Sequence, residues 1–237
     1  MGEGLDKDVL LMPFISTTSI ACGFHAGDED VMKKTVELAL LHSVAIGAHP
    51  GFADKENFGR RELNLEKEKV EELIFVQLNA LKKVTVAFNT TLHHVKPHGA
   101  LYNMAARDPR LAGIIAKTVK AFDSKLALYG LSGSCSISAA EEEGLKTASE
   151  VFADRTYQDD GSLTPRSQPH AMIENDKQSL EQVLQMVAQK TVTSLNGHTV
   201  NIVAQTICIH GDGKHAVAFT QSISQMLKQQ GIEIKAI

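Results

Sequence analysis

The sequence predicts an α/β fold: one (β/α) barrel domain over residues 1–237, with about seven strands. Two observations predict it. Short apolar runs of strand character alternate with helices whose apolar residues recur at helical spacing, the signature of a parallel sheet with right-handed crossovers. Those runs also end, again and again, in knots of Gly, His, Asp, Lys or Arg. Thr18–Cys22 leads into Gly23-Phe24-His25-Ala26-Gly27-Asp28, and Val44–Ala48 into His49-Pro50-Gly51. Thr91–Val95 leads into Lys96-Pro97-His98-Gly99, and Ile202–Ile209 into His210-Gly211-Asp212. A parallel sheet or barrel builds its active site at the C-terminal ends of its strands, so the pattern marks an enzyme candidate.

The elements follow in order. A strand at about 18–22 is followed by a helix that Asp28 can cap, with Val31, Thr35, Leu38 and Ala39 near one face. After a strand at 44–48, the charged stretch Gly51–Leu65 is too long for a plain connection and reads as a functional loop. Val70, Leu73, Ile74, Leu78 and Leu81 then repeat at i, i+3, i+4, i+8 and i+11. A strand at 91–95 precedes the Lys96–Asn103 cluster. Asp108-Pro109 is a cap followed by proline at the first helical position, opening a helix striped by Leu111, Ile114, Ile115, Val119 and Phe122. Strands at 125–130 and 147–152 flank a weak helix over 136–143. A second long loop, Asp154–Asn175, leads to a stripe from Leu180 to Leu195 closed by Gly197. A strand at 202–209, a helix from Ala216 to Leu227 and a last strand at 232–236 complete the chain. No internal repeat or linker divides it.

Composition narrows the function. A hydrophobic content of 43% with 22% charged residues suits a soluble protein with a sizeable core. The net charge of −4 leaves no basic footprint for nucleic acid. No apolar run approaches a membrane span of roughly 20 residues, and no signal-peptide pattern is present. Cys22, Cys135 and Cys208 make no CxxC pair and leave one odd, against a disulfide framework or structural zinc site. The expected compartment is a reducing cytoplasm. Walker A, GxGxxG and GxSxG motifs are all missing, so any nucleotide is held without a standard P-loop.

The polar knots supply the candidate residues, each with a plainer alternative. His25 sits between two glycines that let backbone approach a ligand closely; it is a metal ligand or acid/base group, or a satisfied turn histidine. His49 follows its strand directly, where a side chain serves chemistry. His93 and His94 point to opposite faces of a strand, and neither is assigned a role. Lys96 and His98 fall on one face beside the fixed Pro97: Lys96 can hold an anion and His98 can move a proton. Arg60 and Arg61 in the first long loop, and Glu150, Asp154 and Arg155 near a strand end, are solvated charges or site residues. Arginine forks suit carboxylate or phosphate. His210 and Asp212 repeat the strand-end pattern. Cys22 and Cys208 read as buried hydrophobes.

Several blocks resemble the LamB/YcsF family. They are Ile20–Asp28 (IACGFHAGD), Ile46–Phe52 (IGAHPGF) with Phe58-Gly59-Arg60-Arg61, and His94–Asn103 (HVKPHGALYN). Glu150–Arg155 (EVFADR) with Tyr157, and Thr206–Asp212 (TICIHGD), complete the set. The resemblance spans nearly the whole chain in family order. It implies a barrel akin to the glycoside hydrolase/deacetylase group. It also implies ATP-dependent opening of 5-oxo-L-proline to L-glutamate, carried out as the A component together with B and C partner subunits. The matching positions make Lys96, His98, Asp154, His25 and His49 the catalytic candidates. Arg60, Arg61, Tyr102, Arg155, Glu150, His210 and Asp212 become the substrate-binding ones. ATP is the expected cosubstrate, on this chain or shared with its partners; a divalent metal is left open, with His25, His49 and His98 as the alternative ligand set. The family's first strand, Asp-Leu-Asn-Cys/Ala-Asp ahead of Met-Gly-Glu, does not stand in this sequence, so either the recorded start is too late or the barrel lacks that strand and its acidic residues.

Lactam opening needs a clamp for the substrate carboxylate, a base for water and cationic help for a phosphoryl group. Arg61 or Arg155 is the expected clamp, Lys96 the charge stabiliser, and His98 or Asp154 the activator of water. Two alternatives stay open: a metal-dependent hydrolase of the deacetylase type, and a non-catalytic subunit that holds the substrate for its partners.

Overall fold

The computed structural model describes every residue except Leu5 and Lys214. Its centre is a parallel sheet of six strands among the described residues: β1 (Thr17–Ala21), β2 (Ala45–His49), β3 (His94–Val95), β4 (Ala127–Leu131), β5 (Lys146–Phe152) and β8 (Thr206–Cys208), hydrogen-bonded in that order. The sheet curls into a half-barrel with β1 and β8 as its edges. Register runs Ser19 to Gly47, Gly47 to His94, His94 to Ala127 and Ala127 to Lys146.

Side chains alternate across each strand. Ile20, Ile46, Ala48 and Leu128 face outward into the main hydrophobic core. Against them pack α2 (Glu29–Leu41), α3 (Lys67–Ala87), α5 (Pro109–Phe122) and α6 (Cys135–Glu142), which bury Val36, Ile74, Leu78, Leu81, Ile115 and Ala140. Ser19, His49, Tyr129, Leu131, Glu150 and Phe152 face inward and line a cavity. One apolar face of the sheet thus holds the helices, and the other carries the polar groups.

The helix starts obey their caps. Asp28 Oδ1 accepts from Val31 N–H at 2.9 Å, and Asp108 Oδ1 accepts from Arg110 and Leu111 N–H at 2.8 and 3.2 Å. Asp28 thus caps α2. A short α1 (Asp8–Leu11) precedes β1, α4 (Gly99–Arg107) occupies most of the Lys96–Asn103 cluster, and α8 (Ala216–Gln229) packs on α7 (Asp176–Leu184).

Two expected elements differ. The stripe from Leu180 stops at Leu184, passes through a π turn at Gln185–Gln189 and ends at Lys190, whose φ is +56°. Beyond it the β-branched runs of β6 (Thr191–Thr193) and β7 (Thr199–Asn201) pair as an antiparallel hairpin, which takes Leu195 out of the helix. The strand expected at 232–236 does not form; Ile232 and Ile234 pack against the α7–α8 cluster instead, and the Ile237 carbonyl pairs with His93 Nε2 at 2.9 Å. The six parallel strands thus fall one short of the expected seven. Among the described residues no strand precedes β1, whose Ala21 N–H donates to the Met1 carbonyl at 2.9 Å.

Candidate functional site

The curled sheet lines a cavity of about 1030 Å³ along its inner face, and the C-terminal ends of its strands form part of the wall. Its wall carries two clusters of functional groups, with Lys96 between them.

The first cluster is made of imidazoles. His25 follows β1, His49 ends β2 and His98 follows β3; His25 and His98 are buried at 1% and 6% exposure. The His25 and His98 rings stack with centroids 3.8 Å apart. His49 Nδ1 lies 2.7 Å from the Lys96 carbonyl, and His98 Nε2 lies 2.8 Å from the Phe58 carbonyl. A carbonyl only accepts, so each of those ring nitrogens carries the proton. The remaining nitrogens, His98 Nδ1 and His49 Nε2, face each other at 3.0 Å. Glu3 Oε1 approaches His25 Nε2 at 3.8 Å. Burial, and then the charges of the neighbouring histidines, push His49 well below the usual histidine range. Burial first, then His25, lowers His98 to about 3. Both rings are neutral at physiological pH.

Backbone from the first long loop closes on this stack. Gly59 has φ +62°, and a Cβ there would lie 2.8 Å from His25 Cβ and 3.1 Å from His98 Cδ2. Gln77, fully buried on α3, grips Gly51 from both sides: it accepts from the Gly51 N–H at 3.0 Å and donates to its carbonyl at 2.8 Å.

The second cluster is ionic. Lys96 Nζ donates to Glu150 Oε1 at 2.6 Å, and Tyr102 Oη donates to Glu150 Oε2 at 2.8 Å. Burial disfavours the Lys96 ammonium, but the adjacent Cys208 sulfur and Glu150 carboxylate more than offset it, and its pKa is raised. Cys208 itself is pushed up to about 12, chiefly by burial, so it stays a thiol at 3.1 Å from Lys96 Nζ. Asp154 accepts from the His210 backbone N–H and from His210 Nδ1, each at 2.9 Å. Burial opposes the Asp154 charge, but His210 outweighs it and holds the carboxyl below its ordinary range. With Nδ1–H committed to Asp154, His210 Nε2 is the free lone pair, and His210 lines the cavity.

Arg60 bonds Asp212 at 2.7 Å at the half-exposed rim. Arg155 is buried, with two N–H groups given to the Ala171 and Thr164 carbonyls at 3.2 and 2.5 Å. Burial, and then Arg166, lower Arg155 to about 10. Arg61 points away: its side chain is 63% exposed, loosely paired with Asp54 at 3.6 Å.

Eleven of the twelve sequence candidates therefore gather around one cavity, and Arg61 alone stands outside it. His94 is a fully buried structural residue, stacked on Tyr129 at 4.0 Å and 3.1 Å from Ser19 Oγ. Sequence reasoning missed Glu3, in a segment that reads as loop. It also missed Gln77, whose polar side chain among Ile74, Leu78 and Leu81 was the available signal. Arg166, a charge of the second long loop, also lines the cavity beside Arg60.

Fold and site together define an α/β half-barrel protein with a polar cavity along its inner face. The chain belongs to the LamB/YcsF family, whose model matches residues 1–237. It is 51% identical over 242 residues to the 5-oxoprolinase A subunit of Tolumonas auensis, covering 100% of this chain and 96% of that one. It is 51% identical over 234 residues to the 5-oxoprolinase A subunit of Bacillus subtilis, covering 99% and 90%. The crystal structure of a lactam utilization protein from Thermus thermophilus superposes with a TM-score of 0.92 at 39% identity, covering 99% of this chain and 94% of that one.

Proposed function

We propose that this chain is the A subunit of a 5-oxoprolinase, opening the lactam of 5-oxo-L-proline to L-glutamate with ATP hydrolysis and with B and C partner subunits. The observation that carries the reading is end-to-end identity near one half with proteins bearing that name. The cavity supports it by offering the groups the chemistry requires.

A lactam is a resonance-stabilised amide. Transfer of the γ-phosphoryl group of ATP to its oxygen releases ADP and leaves C5 electrophilic. Water then adds to C5, and cleavage of the C5–N bond gives an amine and an acyl phosphate. A second water releases phosphate and glutamate. His210 is the base for the first water: Asp154 fixes its tautomer and stabilises the imidazolium that forms. This moves the base role from Asp154 and His98 to His210, because Asp154 is spent on orienting that ring. Lys96, held as an ammonium by Glu150, supplies the cation that offsets the negative charge of the phosphoryl group on the lactam oxygen. Arg60 and Arg166 at the rim suit the substrate carboxylate or a phosphate better than Arg155, whose N–H groups are engaged, or Arg61, which is outside.

The test is 5-oxoproline-dependent ADP release by the chain alone, and with B and C. The reading expects release in the complex that is abolished by His210→Ala. No release in any combination, with partner binding confirmed, overturns it. Release unaffected by His210→Ala would make this chain a holder of substrate whose chemistry lies in its partners.

A further inference from the structure

The imidazole cluster poses a problem that the lactam chemistry leaves untouched. His98 Nδ1 and His49 Nε2 lie 3.0 Å apart, and both are acceptors, because each ring has committed its N–H to a backbone carbonyl. Two lone pairs at hydrogen-bond distance repel. Beside them, His25 is 1% exposed and neither ring nitrogen has a hydrogen-bond partner among the described residues. A buried polar group without a partner costs free energy, and here it lies beside three further donors. One ligand atom from each of Glu3, His25, His49 and His98 lies within 4.8 Å of the others.

We propose that Glu3, His25, His49 and His98 form a binding site for one divalent first-row transition-metal ion of the zinc class. The donor set is three imidazoles and a carboxylate, which favours such ions over magnesium or calcium. The spacing fits: two nitrogens sharing an ion at ~2.1 Å from each lie ~3.0–3.4 Å apart. So does the outer shell. Metal-bound histidines hand their other ring N–H to a carbonyl or carboxylate, as His49 does to Lys96 and His98 to Phe58. Gly51 and Gly59 are where the loop can lie against the rings; a Cβ on Gly51 would sit 2.9 Å from His25 Nδ1. The His25 ring is stacked flat on His98, so ligation requires it to turn out of that stack. Glu3, His49 and His98 line the cavity that also holds Lys96 and His210, so the ion is open to a ligand on that side. A bound ion there would polarise an oxygen of a ligand in the same cavity. The inference stands without the lactam reading, because metal binding is measured with no substrate or partner present.

The test is calorimetric titration of EDTA-treated, dialysed protein with Zn2+, Co2+ and Mg2+, with Co2+ binding followed also by its visible absorption. One Zn2+ or one Co2+ per chain is expected, with Mg2+ at least ~100-fold weaker. His49→Ala and His98→Ala each lower Zn2+ affinity ~100-fold or more, Glu3→Gln at least ~10-fold, and the surface change His42→Ala leaves it as it was. If a histidine variant fails to fold, the wild-type protein labelled with 15N-histidine gives the answer. Zn2+ moves the signals of His98 Nδ1 and His49 Nε2 and leaves those of His98 Nε2 and His49 Nδ1 protonated. The proposal is overturned by a wild-type protein that binds neither Zn2+ nor Co2+ stoichiometrically. It is equally overturned by affinity that survives His98→Ala, or by a Zn2+ titration that leaves those two nitrogens unmoved.

Discussion

Replacing Lys96 by Met removes one charge from an ion pair whose side chains are 12% and 3% exposed. Glu150 would then keep only the Tyr102 hydroxyl as partner, inside a wall that includes Phe152. An uncompensated buried charge costs ~3–5 kcal/mol, which for a chain of this length is roughly 6–20 °C in melting temperature. Adding Glu150→Gln to Lys96→Met removes the orphaned carboxylate, so the double variant should recover most of that loss. The assay is urea and thermal unfolding of wild type, both single variants and the double variant, alongside 5-oxoproline binding. Stability should return in the double variant while binding stays lost, which separates the structural role of the pair from its contact with substrate. A Lys96→Met protein within ~1 kcal/mol of wild type, well under the ~3 kcal/mol expected, refutes the buried-pair argument. So does a double variant as unstable as the sum of the singles.

Asp154→Asn leaves the shape of the dyad but no longer fixes the His210 tautomer; kcat in the reconstituted complex should fall ~10²–10⁴-fold with KM within a few-fold. A loss under ~10-fold removes His210 from the base role. Gly59→Ala forces a Cβ to 2.8 Å from His25 Cβ at a φ of +62° and should cost ~1–3 kcal/mol in urea unfolding; an unchanged midpoint would show that the loop does not rest on the imidazole stack. Acid should weaken the fold before carboxylates titrate. His98 is held at about 3 against an ordinary 6.5, and His49 and His94 lie well below it, all three chiefly by burial. A depressed pKa gives stability that is complete above 6.5 and is lost as pH falls through the folded value, His98 alone contributing on the order of 5 kcal/mol across that window. Urea midpoints should therefore drop between pH 7 and pH 5, and a flat profile there contradicts neutral burial of these rings.

The sheet was legible because strand character and helical periodicity alternate along most of the chain from Thr17 to Phe152, and because strands lead into polar residues at their C-terminal ends. The site was legible for the same reason: position at a strand end picked out His25, His49, Lys96, His98, Asp154 and His210 without any distance being known. What stayed hidden depends on long-range pairing. Ile232–Ala236 alternates like a strand, but no neighbour offers it a ladder, and its isoleucines find the α7–α8 cluster. The hairpin at Thr191–Asn201 continues an apolar helical stripe, so only the pairing of Val192 with Val200 reveals it. Arg61 and Arg60 are adjacent in sequence and alike in chemistry; which one enters the cavity is settled by Asp212, 152 residues away from Arg60. The family pattern marks both arginines but not their directions. Roles were harder still, since Asp154 looks like a free base until His210 is seen lying across it.

Lys96 ties the two ends of the cavity together by different atoms. Its ammonium serves Glu150, while its backbone carbonyl orients His49. The two functions are separable because a side-chain substitution keeps the carbonyl. Pro97 has no backbone N–H to give to the ladder, and β3 ends just before it at Val95, so the Lys96 carbonyl is fixed by the chain rather than by its own side chain. Lys96→Met should therefore abolish 5-oxoproline binding yet leave Zn2+ affinity unchanged or tighter, the latter because a cation near His49 has been removed. Titrating the same variant with both ligands reads the two ends independently. A loss of Zn2+ affinity of ~10-fold or more, the scale expected for a lost outer-shell partner, would mean that the ammonium, and not the carbonyl, holds His49 in place.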